Sequence, residues 1–383
     1  MRLGIVGAGE VAWRHAAAAA EVDGLRLAAV FDPMAERAVR LAEAYGARAV
    51  TEFDEVLEAA DLLVLAVPHA LHEGLALRAL EAGRRVLVEK PLATTVEECD
   101  RMIAGQLRGN GPDRVAGRGP GGGPDVVGGR GLGEGPVVVG GRGLGEDPDL
   151  VGSRGGGDGP DLVDGCGLGR GSDIAAGRDL GVGGLVVGQQ GRFFAQVRAA
   201  RSELARLGEP LLYLERRSTD YLRPDRPAWF ADPALAGGGI VMLVGVHSID
   251  RACWLLDSAP VGDAGSVAMP EGWAVETSAA GTVHLASGMQ ARLTLVDSPQ
   301  FFHETTVVCS RGTLVIDPSG LSVDGRRVLT VDADREYTAS FRRQYRAILD
   351  GSPMATLAEG RLAVAAVRAW YRSAASGGAM VGV

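Results

Sequence analysis

The amino-terminal quarter of the chain alternates short apolar runs with longer amphipathic stretches. Arg2–Val6 is such a run, and an Ala-rich helix to about Glu21 is predicted after it. Leu25–Phe31 is a second run, closed by Asp32-Pro33, and Pro33 suits the first turn of a helix that continues to Tyr45. Asp61–Val67 predicts a third strand, followed by a helix from about His69 to Ala82, and Val86–Glu89 a fourth strand. Thr94 and Thr95 each precede a glutamate by three residues, the capping-box spacing, and predict a helix to about Ile103. Leu185–Gln189 looks like the next strand of the same sheet. Strands that alternate with helices in this way build a parallel sheet covered on both faces.

The period changes after this strand. Phe194–Leu207 reads as a helix and Leu211–Glu215 as a strand. The segment Asp220–Phe230 has the prolines and aromatics of a substrate-covering loop, although such loops also pack on their own domain. Gly237-Gly238-Gly239 permits close backbone approach before a helix over Ile240–Leu256. From Val261 to Val331 alternating runs are separated by turn signals such as Asp324-Gly325, which predicts a mostly antiparallel sheet. Two helices, about Ala339–Leu349 and Leu357–Ala375, close the chain.

Between the two patterns lies a segment with neither. Of 57 glycines, 26 fall within residues 111–182, where a twelve-residue unit recurs six times from Gly111, Gly123, Gly135, Asp147, Gly159 and Gly171. No aromatic residue occurs there, and isolated Val-Val or Leu-Val pairs bury too little to offset the backbone entropy of so much glycine. A flexible inserted loop is expected, and a small β-roll is the alternative. The expected organisation is a dinucleotide-binding domain from 1–104 and 183–190, the insert, and a second domain over 191–383.

Composition narrows the function. A 46% hydrophobic chain of 383 residues can bury a real core. Its net charge of −9 argues against a nucleic-acid partner. No unbroken run of eighteen apolar residues predicts a membrane span. Cys99, Cys166, Cys253 and Cys309 are far apart and form no zinc or disulfide pattern. His284 and His303 lack metal-ligand partners at useful spacing and read as structural. The chain opens directly on a strand, without room for a signal peptide, so a cytoplasmic protein is expected.

The candidate chemistry begins at Gly7-Ala8-Gly9-Glu10-Val11-Ala12, between the first strand and the first helix. Gly7 suits the tight turn, Gly9 lets backbone approach a pyrophosphate, and Ala12 allows close helix packing. Asp32 ends the next strand near the spacing for a ribose-hydroxyl partner, and its charge favours NAD over NADP. As an alternative, Asp32 is only a helix cap; nearby Arg37 softens the NAD preference. Pro68 and His72 follow the third strand, and Glu89-Lys90-Pro91 the fourth, all at carboxyl ends of parallel strands where such sheets bind ligands. By position, Lys90 is either functional or a surface lysine before a proline turn. Leu243, His247 and Asp250, spaced four and three apart, share a helix face. A lone histidine there is either a hydrogen-bonded core residue or a general base. Asp250 orients His247, or pairs with Arg251 or a backbone amide.

These motifs together resemble the Gfo/Idh/MocA oxidoreductases, the relatives of glucose-fructose oxidoreductase and inositol dehydrogenase. The resemblance rests on GIVGAGEVAWRH at 4–15, VPHALHEGLALRALEAGRRVLVEKPL at 67–92, GGGIVMLVGVHSID at 237–250 and, more weakly, CSRGTLVID at 309–317. It implies a Rossmann NAD(P) domain followed by an α/β domain with a large open-faced sheet. One sheet face covers the nicotinamide and the other often forms homodimers or homotetramers. The family's catalytic lysine falls on Lys90 and its catalytic histidine on His247, and Arg192 matches a residue near the active site. The chain departs from the pattern at Leu243, where many members carry an aspartate.

The resemblance implies NAD(P)-dependent hydride transfer to or from a secondary alcohol of a sugar, polyol or cyclitol, with no metal. The cofactor set is Gly7, Gly9, Glu10, Val11, Asp32, Pro68, His72, Glu89 and Lys90. The substrate set is Lys90, Arg192, His247 and Asp250. The competing readings are a nucleotide-binding regulator or scaffold without redox activity, motivated by Leu243 and the insert, and an imine or enone reductase on the same fold.

Overall fold

The computed structural model describes residues 1–109 and 184–383. The twelve-residue repeat, with its expected loop or β-roll, lies outside them. The first sheet is formed by β1 (Arg2–Val6), β2 (Arg26–Phe31), β3 (Arg48–Val50), β4 (Leu62–Leu65), β5 (Arg85–Glu89) and β6 (Leu185–Gly188). All its pairings are parallel, in the order β3-β2-β1-β4-β5-β6, the order of a Rossmann fold. Its helices are α1 (Glu10–Ala20), α2 (Ala35–Ala44), α3 (Phe53–Ala59), α4 (His72–Glu81) and α5 (Val96–Gly109).

Alternate strand residues enter cores on opposite faces of this sheet. Leu3, Ile5, Val64 and Leu87 join one buried cluster; Val6, Leu65, Val86 and Val88 join the other. The C-terminal stretch completes both, with Phe341 and Tyr345 in the first and Ala355 and Val364 in the second.

The second sheet has nine strands: β7 (Pro210–Thr219), β8 (Pro260–Ala268), β9 (Ser278–Leu285), β10 (Gln290–Asp297), β11 (His303–Cys309), β12 (Gly312–Asp317), β13 (Gly320–Val323), β14 (Arg326–Thr330) and β15 (Val381–Gly382). β7 runs parallel to β10, and the remaining pairings are antiparallel. On central β7, Tyr213 and Glu215 are buried while Leu214 and Arg216 are exposed, so one face carries the core and the other is open. The buried face packs against α6 (Ala195–Leu207), α8 (Val246–Leu256), preceded by the short α7 (Pro233–Ala236), and α10 (Leu357–Ala375). α9 is Ala333–Asp350 and lies against α1.

Several expectations need correction. β3 and α3 went unread, because Arg-Ala-Val is too short to show a period. α2 starts after Pro33, at Ala35, and α9 starts at Ala333, a turn and a half earlier than expected. Thr94 does not pair with Glu97. Its Oγ1 and amide both donate to Glu98 Oε2, at 2.8 and 2.9 Å, and Thr95 forms the capping box with the same residue. The expected continuous helix over Ile240–Leu256 is broken by a π-turn at Val241–Gly245. The stretch Pro233–Leu256 is long and apolar enough to cross a membrane, but 78% of its apolar window is buried within the fold. It serves as the central core helix.

One buried carboxyl group lacks a partner among the described residues. Asp263 on β8 is fully buried, and neither of its side-chain oxygens has a hydrogen-bond partner there. Burial pushes its pKa up to about 8 from the ordinary 3.8. Between those values the folded chain holds a proton that the unfolded chain releases, so stability falls as pH rises from about 4 to about 8. Asp263→Asn is expected to flatten that slope in melting curves and to raise the midpoint at pH near 8 by roughly 2 °C or more. An unchanged slope in the variant would show that Asp263 finds a partner in solution.

Candidate functional site

The site starts at the turn between β1 and α1. Gly7 has φ +89°, and a Cβ there would stand 2.2 Å from the Ala66 carbonyl oxygen, so the turn requires glycine. At Gly9 a Cβ would meet nothing within 4 Å: the space beside the backbone is open. Gly9 caps α1, and no side chain caps its first-turn amides. The N–H groups of Glu10 and Val11 therefore form a cradle of donors suited to a pyrophosphate. Asp32 accepts from the Ala8 amide at 2.7 Å and from the Met34 amide at 2.8 Å. It pins the glycine turn and also shapes the turn into α2, whose cap position is Met34 and not Asp32. Each carboxylate oxygen keeps a lone pair for a ribose hydroxyl.

Glu89 ends β5 behind this turn. Its Oε1 lies 2.9 Å from His15 Nε2, and His15 Nδ1 lies 2.8 Å from Tyr345 Oη. The three buried groups lock β5 to α1 and α9. His72 is fully buried, with Nδ1 2.9 Å from the Pro91 carbonyl oxygen and Nε2 3.1 Å from that of Val67. Burial holds its pKa down. It joins the loops after β4 and β5, and any effect on a cofactor runs through those loops. Half-buried Pro68 caps the short 3₁₀ turn His69–Leu71. His69 Nδ1 lies 2.7 Å from the Ala236 carbonyl oxygen, and Trp229 packs edge-on to its ring at 5.0 Å.

The segment Asp220–Phe230 is thereby seated on the first sheet's loops. Arg223 pairs with Glu10 at the start of α1, and Arg226 lies over the Tyr221 and Phe230 rings at 5.2 and 4.7 Å. The loop both packs on its own domain and reaches the glycine turn.

Lys90 is where the two sheets' residues converge. Its Nζ donates to the Leu243 carbonyl oxygen at 3.0 Å. That carbonyl belongs to the π-turn, in which the Val246 N–H reaches back five residues to Val241. The Leu243 side chain packs into the core instead. Burial lowers the Lys90 pKa to about 8; Glu89 opposes the shift, while Arg217 and Arg226 add to it.

His247 follows on α8, 9% exposed. Its Nδ1 lies 3.2 Å from Gln189 Oε1. The amide oxygen accepts only if Nδ1 carries the proton, which leaves Nε2 with its lone pair. Burial, then the charges of Lys90, Arg217 and Arg251, hold the imidazole pKa well below its ordinary value. Asp250 does not orient His247, nor does it pair with Arg251 or a backbone amide. It grips Arg192 through two bonds, Nε to Oδ2 at 2.9 Å and Nη2 to Oδ1 at 2.5 Å. Glu359 completes that buried pair at 2.9 Å. Burial opposes the Arg192 charge, but the two carboxylates hold its pKa above the ordinary value. Arg192 and Asp250 thus spend their polar atoms on each other, beside the site.

A second polar cluster lies on the sheet below His247. Glu215 accepts from Ser248 Oγ at 2.6 Å and from Tyr213 Oη at 2.7 Å, and lies 3.1 Å from His303 Nε2. Arg251 Nη1 is 2.5 Å from the same His303 nitrogen. Burial and Arg251 push the His303 pKa down to about 3. His15, Gln189, Glu215 and Arg217 were not read as site residues, and Arg251 was read only as an alternative partner of Asp250. His15 stands inside the quoted 4–15 motif; Gln189 follows β6, Glu215 and Arg217 lie on β7 and Arg251 on α8, and they carried no spacing signal.

Residues 1–106 match a family model described as "Oxidoreductase family, NAD-binding Rossmann fold", and residues 197–315 match the GFO/IDH/MocA C-terminal domain. Glucose-6-phosphate 3-dehydrogenase of Bacillus subtilis is 34% identical over 101 residues, 26% of this chain and 29% of the relative. Inositol 2-dehydrogenase 2 of Saccharopolyspora erythraea is 39% identical over 116 residues, 29% of this chain and 34% of the relative. The chain thus matches about a third of these curated relatives' length. The fold is shared with the crystal structure of GenD2 from gentamicin A biosynthesis in complex with NAD, at a TM-score of 0.73 and 20% identity, covering 100% of this chain and 96% of that one. With both of its characteristic domains present, the chain belongs to the Gfo/Idh/MocA family of oxidoreductases and carries its NAD-binding Rossmann domain.

Proposed function

We propose that this chain moves a hydride between NAD and a secondary alcohol of a sugar, polyol or cyclitol. The observation that carries the reading is the meeting of Lys90 and His247 at the carboxyl end of β5, on the side of the sheet where the open glycine turn lies. Gly7, Gly9 and the amides of Glu10 and Val11 hold the pyrophosphate, and Asp32 holds the ribose and disfavours a 2′-phosphate. Bound NAD supplies the hydride acceptor, and the protein handles the proton. His247 Nε2 takes it from the substrate hydroxyl, because Gln189 fixes the tautomer and the cations around it keep the ring neutral. Lys90 donates to the same oxygen and stabilises the charge that develops on it. In the free protein the Leu243 carbonyl occupies this donor, and substrate oxygen replaces it. Arg192 and Asp250 support the wall behind His247. The same reading takes the working form as a cytoplasmic homodimer or homotetramer, and exposed Leu214 and Val328 on the second sheet support self-association.

The domain partition is part of this proposal. α5 ends at Gly109 and β6 begins at Leu185, so the described chain stops and resumes at the amino-terminal edge of the first sheet. The glycine turn lies at the opposite edge. Replacing 111–182 with a short Gly-Ser linker is expected to leave NADH affinity and polyol oxidation unchanged, as read by fluorescence titration and nicotinamide absorbance. Loss of NADH binding would tie the insert to the site.

The central test is Lys90→Met assayed with NAD and NADP over inositols, aldoses and sugar acids. Turnover is expected to fall by roughly 100-fold or more, with NADH affinity nearly intact. Undiminished turnover, or parallel loss of NADH binding, contradicts the assigned role.

A further inference from the structure

The charges that face His247 do not balance. Lys90, Arg217 and Arg251 all act on its imidazole. Of the carboxylates nearby, Glu215 is taken by Tyr213, Ser248 and His303, Glu89 by His15, and Asp250 and Glu359 by Arg192. Glu215 acts on Arg217 through space, but none of these carboxylates pairs with it; Arg251, also without an ion pair among the described residues, bonds His303 and Thr305 instead. The Arg217 Nε is buried without a hydrogen-bond partner, and Arg217 forms no ion pair among the described residues. It points from the core-facing side of β7, in register with His303 on one neighbour and Leu295 on the other. Leu295 in turn meets the π-turn: a Cβ on Gly245 would stand 3.0 Å from its Cδ1. Arg217 is therefore one strand position from the turn that carries Lys90's acceptor and leads into His247. Arg226 also lacks a carboxylate, but it stacks on two rings and feels Arg223 and Glu10, which places it toward the glycine turn.

A planar guanidinium that no carboxylate pairs with among the described residues, and whose charge reaches Lys90 and His247, is suited to receive a carboxylate or a phosphate. We propose that the substrate of this chain carries such an anionic group, and that Arg217 binds it. The inference rests on the hydride-transfer reading for what the substrate is, a sugar or polyol, and adds its charge. It also explains how His247 can keep the proton it takes. The positive surroundings that hold the free ring neutral are offset once an anion pairs with Arg217. Substrate binding thereby strengthens the base that acts on that substrate.

The test is titration calorimetry of the full chain loaded with NADH, using D-gluconate, D-glucuronate and glucose 6-phosphate against glucose and myo-inositol. At least one anion is expected to bind about tenfold or more tightly than its neutral parent, with that ratio falling about tenfold or more in Arg217→Gln and partly recovering in Arg217→Lys. The two sugar acids against the sugar phosphate tell carboxylate from phosphate. NADH affinity and melting temperature of each variant report whether the fold survives; Arg217→Lys carries the test if Arg217→Gln does not fold. Equal binding of neutral and anionic probes, an equal loss of both in the variant, or no binding of any anion overturns the proposal. Selective anion binding without any nicotinamide absorbance change when the same panel is assayed with NAD+ as oxidant, in wild type and Lys90→Met alike, would sink the hydride-transfer reading and leave the anion site standing.

Discussion

The arrangement of the site depends on the burial of one ammonium group. An amine withdrawn from water needs acceptors, and Lys90, at the end of a strand whose previous residue is locked to α1 and α9, has few within reach. It takes the Leu243 carbonyl at 3.0 Å. That single bond crosses from the loop after β5 to the helix that carries His247. It fixes the lysine and the histidine relative to each other without any side-chain acceptor. The π-turn matters for the same reason: it shifts the backbone bonds of Val241–Gly245 by one residue in the segment that presents the carbonyl.

Around that bond the protein uses paired contacts in register. Gln189 and Arg192 lie three residues apart after β6, and His247 and Asp250 lie three apart on α8. Gln189 meets His247 and Arg192 meets Asp250. A bidentate ion pair closed by Glu359 resists sliding, so the weaker Gln189–His247 contact is held in place by its stronger neighbour. Truncating one partner of such a buried pair leaves an uncompensated charge, and the expected cost is several kcal/mol, on the order of 3–5. Arg192 and Asp250 therefore serve the histidine by position, while their own polar atoms are spent.

The fold was largely legible because its strong elements obey strong rules. β1, β2, β5 and β6 are continuous apolar runs of a sheet buried on both faces, and each was read within a residue or two. The glycine turn and Asp32 were legible because their spacing is set by the ligand they suit. What was missed was either short or assembled from afar. β3 has three residues. The π-turn changes no residue type, so Ile240–Leu256 reads as one helix. Asp250 reads in sequence as orienting His247, with which it shares a helix face, or as pairing with Arg251 or a backbone amide, but its partner Arg192 comes from a segment 58 residues away in sequence. Arg217 looks in sequence like any charged residue between Arg216 and Ser218. Only the pleat, which turns Arg216 to Glu304 on the outer face and Arg217 inward, separates a surface ion pair from a half-buried cation.

Leu243 shows how one departure from a family pattern alters the electrostatics of a site without disrupting its geometry. An aspartate there would add a negative charge one side chain away from the carbonyl that Lys90 holds. Leucine leaves a carbonyl dipole, enough to hold the ammonium but not to neutralise it. The surplus positive charge then falls on the neighbouring titratable groups. Lys90 comes down to about 8 and His247 well below its ordinary range, in part through the arginines. A neutral histidine readily accepts a proton but holds it poorly in that field. The missing negative charge has to enter with a ligand for the proton to be kept, and Arg217 on β7 is the inward-facing cation there that neither pairs with a carboxylate nor donates a side-chain hydrogen bond among the described residues, whereas Lys90 holds the Leu243 carbonyl and Arg251 holds His303 and Thr305.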